Sequence, residues 1–369
     1  MATTLQDIAR SVNLSESLVR GVLNNKPNVW ASQANRRRIL EAARELNYRP
    51  NAAAKALATG STRTAGFTYL RPKHERGLRE VTGSVAEGCA ERLSEIGFSL
   101  ALHAYDSRDA LIENLNTMAL SRSCDAFVLW GNEEEIEEPG CLLESLNVPF
   151  VVKGYFDDTH PSWLQIDFDH ERMMHTAVDL LASLGHRRIA YLGSIYPFLW
   201  EQHYLKGYRE AMSRVFGAEP DPRLISQPLH SLTDYEKAMA DWLTLDADDC
   251  PTAVIVTTDA RAWRAIEIAL ARVGRRAGIA PGEVLIVGCS RRDDSVGSMT
   301  LMRGQGYTFD ETGMAYLGEM LAEKLLNRIL RNEVPEQNSI RLLPALALTD
   351  DEFTLAYHEA TADWERSRL

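Results

Sequence analysis

At 369 residues, with 45% hydrophobic and 25% charged side chains, the chain exceeds the roughly 100–200 residues of one domain and has apolar content for two or three cores. No stretch approaches the ~20 uninterrupted apolar residues of a membrane span, and the start "MATTLQDIARSVN" lacks the apolar run of a secretory signal, so a cytoplasmic protein with no membrane partner is expected. The net charge of −12 is uneven: residues 1–64 hold ten Lys/Arg against four acids and the remainder 30 against 48, which confines a polyanion contact to the head.

In chain order, Leu5, Ile8, Ala9 and Val12 share one helical face, and Asn13 suits a left-handed turn. Ser15 caps a second helix whose buried side is Leu18, Val19, Val22 and Leu23; Asn24, Asn25 and Pro27 end it. In "NVWAS", Trp30 is placed over the core, with stacking on DNA as the alternative. Ser32 caps a third helix through "QANRRRILEAARELNY", with Ile39, Leu40, Ala43 and Leu46 inward. Two short helices joined by a tight turn and braced by a third make a helix-turn-helix.

The exposed side of the second helix then presents Glu16, Ser17, Arg20 and Gly21 to a major groove. Glu16 could accept from a cytosine amino group, and Arg20 either makes a bidentate contact to guanine or touches phosphate. Arg36, Arg37 and Arg38 span ~200° of helix, so one or two of them reach phosphate. In "NYRPNAAAKALATG", Pro50 ends one helix and Asn51 caps another of about two turns before Gly60, too short to hold itself together in water.

These stretches carry a resemblance. "TLQDIARSVNLSESLVRGVLN", then "RRRILEAARELNYRPNAAAKALATG", resembles the headpiece of the lactose repressor (LacI) family of bacterial transcription regulators, with its T-x-x-D-V-A and Y-x-P-N-x-x-A-x-x-L wording. The resemblance implies a hinge helix that forms when two subunits sit side by side on a pseudo-palindromic operator. Leu57 is then the wedge in the minor groove, with Ala54 lying along it. The DNA-facing set becomes Thr4, Ser15, Glu16, Ser17, Arg20, Gly21, Asn24, Ser32, Arg36, Asn51, Ala54 and Leu57. Arg20-Gly21 stands where the family commonly has Ser-Arg, so the family's operator preference is not carried over.

After Gly60 the pattern alternates. "TAGFTYL", "FSLALHAY", "CDAFVLWG", "VPFVVKGY", "RRIAYLGS", "TAVIVTT" and "GEVLIVGC" read as buried strands, separated by helical stretches such as "VAEGCAERLSEIG", "ERMMHTAVDLLASLG" and "RAIEIALARVG". "DFDHERMMHTAVDLLASLGHRRIAYLGS" resembles the family segment that opens its second subdomain. The implied fold is an all-α helix-turn-helix headpiece plus an α/β periplasmic-binding-protein-like effector domain of two doubly wound subdomains, with chain crossings near Ser162, Gly297 and Leu326. The expected division is head 1–49, hinge helix and linker 50–63, effector and dimerisation domain 64–350, and tail 351–369. The tail places Phe353, Ala356, Tyr357, Ala360 and Trp364 on one face, without the leucine seam of a tetramerising coil.

Ligands of such folds bind outside the carboxyl ends of parallel strands. The family's Asn-Asp after one strand is Thr258-Asp259 here, its pocket arginine is Tyr204, and its Gly-Phe-Asp-Asp becomes "GCSRRDD". The candidate effector-binding set is Trp130, Tyr155, Trp200, Tyr204, Asp259, Ser290 and Arg291, with Lys153 and Arg79 as further cations for an anionic group. Asp259 could equally cap the helix that follows it.

No GxGxxG follows a strand, and no P-loop or GxSxG elbow occurs. His170 and His175 are five apart and so off a shared zinc face, and the five cysteines (Cys89, Cys124, Cys141, Cys250, Cys289) show no CxxC spacing. No metal, cofactor or catalytic activity is expected, the alternative being an enzyme built on the α/β body. The reading is a homodimeric, ligand-responsive repressor, with an activator as the functional alternative and a small polar ring compound, by family default a sugar derivative, as effector.

Overall fold

The computed structural model describes residues 3–24, 30–49, 52–71, 76–156, 158–194, 199–227, 229, 231–257, 260–289, 306–309, 313–331, 338–343 and 346–348. The chain divides into two compact units, Met1–Thr62 and Arg63–Leu369. Pro50, Asn51 and the expected tail helix lie outside the described residues.

The first unit contains α1 (Leu5–Val12), α2 (Glu16–Leu23), α3 (Gln33–Glu45) and α4 (Ala52–Thr59). Local chemistry sets each boundary. Thr4 and Asp7 form a reciprocal capping box at the start of α1, and Asn13 ends that helix at φ 52°. Ser15 and Ser32 accept from the Leu18 and Asn35 amides, at 3.3 and 3.2 Å, to start α2 and α3. Ile8, Ala9, Val12, Val19, Val22, Ile39, Ala42 and Ala43 form the core.

Three expectations fail here. Leu40 is exposed because it lies 100° around the helix from Ile39, outside the stripe that Ala42 and Ala43 complete. Leu46, past the last turn as the C-cap of α3, is exposed as well. Trp30 is 99% exposed: small and β-branched residues fill the head core, and the indole takes no part in it.

Among the described residues the second unit has two six-stranded sheets. The first runs, in spatial order, β11 (Ser339–Leu342), β5 (Gln165–Phe168), β4 (Phe150–Lys153), β3 (Ala126–Trp130), β1 (Thr64–Leu70) and β2 (Ser99–Tyr105), all parallel. The second runs β12 (Leu346–Leu348), β10 (Gly306–Phe309), β9 (Leu285–Gly288), β8 (Ala253–Val256), β6 (Ile189–Leu192) and β7 (Ile225–Ser226), with only β12 antiparallel. The helices are α5 (Arg76–Ser94), α6 (Arg108–Ser121), α7 (Glu133–Ser145), α8 (His170–Ser183), α9 (Leu199–Phe216), α10 (Leu232–Leu243), α11 (Ala260–Arg272) and α12 (Gly313–Arg331). β6, β8 and β9 are buried along their whole length, as covering both faces of a parallel sheet requires.

The layer crossings differ from those expected. β5 belongs to the first sheet, so the chain leaves that layer after Phe168; Ser162 precedes the strand. It returns between Phe309 and Gly313, where β10 gives way to α12, the helix that packs along α5; Gly297 lies outside the described residues. The third crossing follows β11, and Leu326 is a buried residue within α12. Sheet membership is a non-local property, which local composition does not encode.

α5 and α12 approach closely through glycine. A Cβ on Gly88 would lie 1.9 Å from the Ala315 carbonyl oxygen, and one on Gly318 would lie 2.0 Å from that of Val85. The Cys89 thiol donates to the Gly318 carbonyl across the same contact, at 3.1 Å.

Candidate DNA-binding and effector sites

In the head, α2 turns Val19 and Val22 inward and leaves Ser17 and Arg20 exposed. Arg20 Nη2 donates to Glu16 Oε1 at 2.5 Å, one helical turn back. Asn24 caps α2 at its exposed C-terminal end. Gly21 is buried, a correction: with no side chain to project, it lies below the surface between Val19 and Val22 and presents nothing to a groove.

Thr4, Ser15 and Ser32 stand at three helix starts, where free N–H groups and the helix dipole favour phosphate. The hydrogen bonds from Thr4 hold the Asp7 carboxyl below its usual range. The arginine triplet separates as its spread predicts: Arg38 Nη2 donates to the Val12 carbonyl at 2.9 Å, Arg37 lies 3.8 Å from Glu41, and Arg36 is half-buried. On α4, Ala54 is exposed and Leu57 is 90% exposed.

In the body, Tyr155 follows the carboxyl end of β4, and His203 lies near the start of α9, the helix after β6. Their rings stack at 4.1 Å, so the carboxyl ends of the two sheets meet here. The Arg341 guanidinium, from β11, covers the Tyr155 ring at 4.0 Å. The Tyr155 hydroxyl donates to the Phe168 carbonyl and accepts from the His170 amide at 3.1 Å, bridging the first crossing; burial raises its pKa. His203 Nδ1 meets Glu171 at 2.8 Å, and Lys206 pairs with the same carboxylate.

His170 is buried, its ring 4.6 Å from Tyr204, and burial pushes its pKa down to about 3, which keeps it neutral. Tyr204 is 6% exposed, edge-on to Trp200 at 5.8 Å, with its hydroxyl on Met173 Sδ at 3.7 Å. The flat ligand contact expected of Tyr204 is corrected accordingly: the ring belongs to the core. Trp200 is half-buried.

Trp130, at the end of β3, donates through Nε1 to Thr82 at 3.0 Å, with Lys153 Nζ 6.0 Å over its ring. Lys153 is not a free cation for a ligand, since it pairs with the fully buried Asp167 at 3.0 Å. Burial raises the pKa of Glu133 beside them, an effect that Lys153 opposes. Thr258, Asp259, Ser290, Arg291 and the Arg79 side chain lie outside the described residues.

Sequence reasoning missed Glu201. Its buried carboxylate accepts from Tyr191 at 2.6 Å and Thr257 at 2.7 Å, and burial pushes it up to about 7. A lone glutamate on a charged helix gives no sign of burial, and the three residues come together only in the fold. Among the described residues no group of His, Cys, Asp or Glu could hold a metal ion, and no helix is long and apolar enough to cross a membrane.

Comparisons with known proteins agree with this division. The family of bacterial regulatory proteins of the lacI type matches residues 4–51, and a periplasmic binding protein-like domain matches residues 159–348, just over half of the chain. The HTH-type transcriptional regulator AglR of Rhizobium meliloti (strain 1021) is 28% identical over 349 residues, covering 91% of each chain. Catabolite control protein A of Priestia megaterium is 27% identical over 354 residues, covering 93% of this chain and 97% of that protein. Among solved structures, the lac repressor dimer bound to operator and the anti-inducer ONPF is similar in fold, with TM-score 0.71 and 20% identity over 94% of this chain and 98% of that one. The transcriptional regulator CelR–cellobiose complex has TM-score 0.59 and 23% identity, over 94% of this chain and 98% of that one. With a helix-turn-helix head and a two-layered α/β body each matched to its counterpart, the chain belongs to the lacI family of bacterial regulatory proteins and is a transcription regulator with a DNA-binding and an effector-binding part.

Proposed function

We propose that the protein is a cytoplasmic, dimeric repressor that grips a pseudo-palindromic operator and is controlled by a small polar ring compound of the sugar class. The observation that carries this is a helix-turn-helix followed by a two-turn helix, α4, whose one sizeable apolar side chain, Leu57, stands 90% exposed. An isolated helix of that length is marginal in water. A second α4 and a minor groove would supply its missing partners, with Ala54 permitting close approach and Leu57 opening a base step. Residues 1–49 then form the head, 50–63 the hinge, 64–350 the effector and dimerisation domain and 351–369 a tail packed on it.

Ser17, Arg20 and Asn24 read or flank the major groove, with Glu16 beside Arg20. Thr4, Ser15, Ser32, Arg36 and Asn51 meet phosphate. In the body, the half-buried rings of Trp130, Tyr155 and Trp200 border the effector cleft, and Asp259, Ser290 and Arg291 supply its polar contacts. A sugar-class effector is in keeping with the cellobiose and ONPG held by fold neighbours of this chain. The effector alters operator affinity only through its differential affinity for two arrangements of the body's layers. No catalytic step is assigned.

Selection of bound sites from random duplex DNA tests the reading, followed by salt titration of the recovered sequence. A two-fold related site is expected, with log affinity falling linearly against log salt at about −0.9 per phosphate contact. A flat salt response, or a site without two-fold symmetry, would overturn it.

A further inference from the structure

Trp30 stands in water as no other described large hydrophobic side chain does. It is 99% exposed and Leu57 follows at 90%, while the next, Leu120, is 65% exposed and so keeps part of its surface packed. The head core closes without the indole, as Ile8, Val19 and Ile39 are each fully buried. A single exposed apolar side chain does not by itself demand a partner, but an indole so fully in water offers one both a flat apolar face and one N–H donor.

Position and charge point to one partner. The connection that carries Trp30 starts at Asn24, the C-cap of α2, and ends at Ser32, the N-cap of α3, so it joins the groove-facing helix to the next helix start. The unit around it carries ten basic residues against four acidic ones over residues 1–64, whereas the rest of the chain is strongly acidic. A polyanion is attracted to this surface and a second acidic protein surface is not favoured over it.

We propose that Trp30 is an additional DNA contact: its ring lies against a deoxyribose and its Nε1–H donates to a phosphate oxygen at the edge of the groove that α2 enters. This rests on the reading of the head as a duplex-DNA binder. Such a contact adds affinity without sequence preference, because sugar and phosphate are the same at every step.

Trp30 is the one tryptophan in residues 1–62, so the difference in emission between the wild-type chain and Trp30→Phe isolates its signal. Acrylamide quenching of that difference signal is measured with and without saturating operator duplex. Severalfold protection by the duplex is expected. Trp30→Ala is expected to weaken binding to the operator and to a random-sequence duplex by the same factor, about tenfold for loss of a large apolar contact. Its melting temperature should not move, since the side chain packs on nothing in the head core.

A Trp30 signal that stays fully quenchable on DNA-saturated protein would overturn the inference while leaving DNA binding intact. So would protection that rises with protein concentration in the absence of DNA, which would assign the ring to a second copy. Failure of the wild-type chain to bind either duplex would overturn both the inference and the reading beneath it.

Discussion

Tyr155 and His203 lie face to face, 4.1 Å between ring centroids and 20° between planes, and so join the loop after β4 in one layer to α9 in the other. The Arg341 guanidinium also lies 4.0 Å from the centre of the Tyr155 ring, so two side chains pack on that ring at the place where the chain passes between sheets. Tyr155→Ala should destabilise the body by about 3 kcal/mol, as large aromatic truncations do. Tyr155→Phe should cost less, roughly 1–3 kcal/mol, by leaving the His170 amide and the Phe168 carbonyl without their shared hydroxyl. Urea unfolding of the two variants checks the order; equal stability of Tyr155→Ala and wild type would show that the stack holds nothing.

Glu201 gives the body a pH dependence with a definite sign. Burial raises its carboxyl from an ordinary 4.5 to about 7, so between those values the folded chain binds a proton that the unfolded chain has lost. Stability therefore falls as pH rises through that window, by at most about 3 kcal/mol. His170 acts oppositely: it is held neutral down to about 3, so acidification below the usual histidine range favours the unfolded chain. Comparing wild type with Glu201→Gln cancels the histidine. The variant should gain stability relative to wild type between pH 5 and 8 in denaturant titrations, and a constant difference would contradict the assignment.

Leu57→Ala should leave unfolding of the body unchanged, since the side chain is exposed. Operator affinity and the DNA bend angle should both fall, because opening a base step needs a wedge. Gel-shift titration and circular-permutation bending assays measure the two, and an unaltered bend would remove Leu57 from the minor groove.

Gly318→Val should be the most damaging substitution among small residues of α12. Its Cβ would lie 2.0 Å from the Val85 carbonyl oxygen, backbone that cannot swing aside, so α5 and α12 must separate. A loss of at least 1–3 kcal/mol is expected, as for overpacking elsewhere. Thermal unfolding should show it, with Gly83→Ala, which meets nothing within 4 Å, as the mild control.

The strands that the sequence displays most openly are those buried on both faces, such as "AVIV" at β8 and "LIVG" at β9, where parallel pairing demands continuous apolar residues. β5, "QIDF", is just as buried, yet Gln165 and Asp167 disguise it. Asp167 is tolerated inside because Lys153, twelve residues before the strand starts, pairs with it. The head was legible because caps, turn residue and stripe all sit within a few residues of one another; Trp30 and Leu40 were misplaced where apolar character alone decided. The Tyr155 cluster draws on residues 168, 170, 203 and 341, separations at which no local pattern survives.

The pairing of β11 with β5 has a consequence for how the protein is made. Residues 339–342 complete a sheet whose other five strands all lie before residue 169, and α12 closes on α5 over a similar separation. Such distant pairings are slow to form and leave a hydrophobic strand edge waiting. As the chain emerges from the ribosome, the head can fold once about 60 residues are out, since its core draws only on residues up to Tyr48. The first layer of the body must wait for almost the last strand. A nascent chain therefore holds a folded helix-turn-helix long before it holds the body assigned to pairing subunits and answering a ligand, and synthesis arrested before β11 would yield a head without its control.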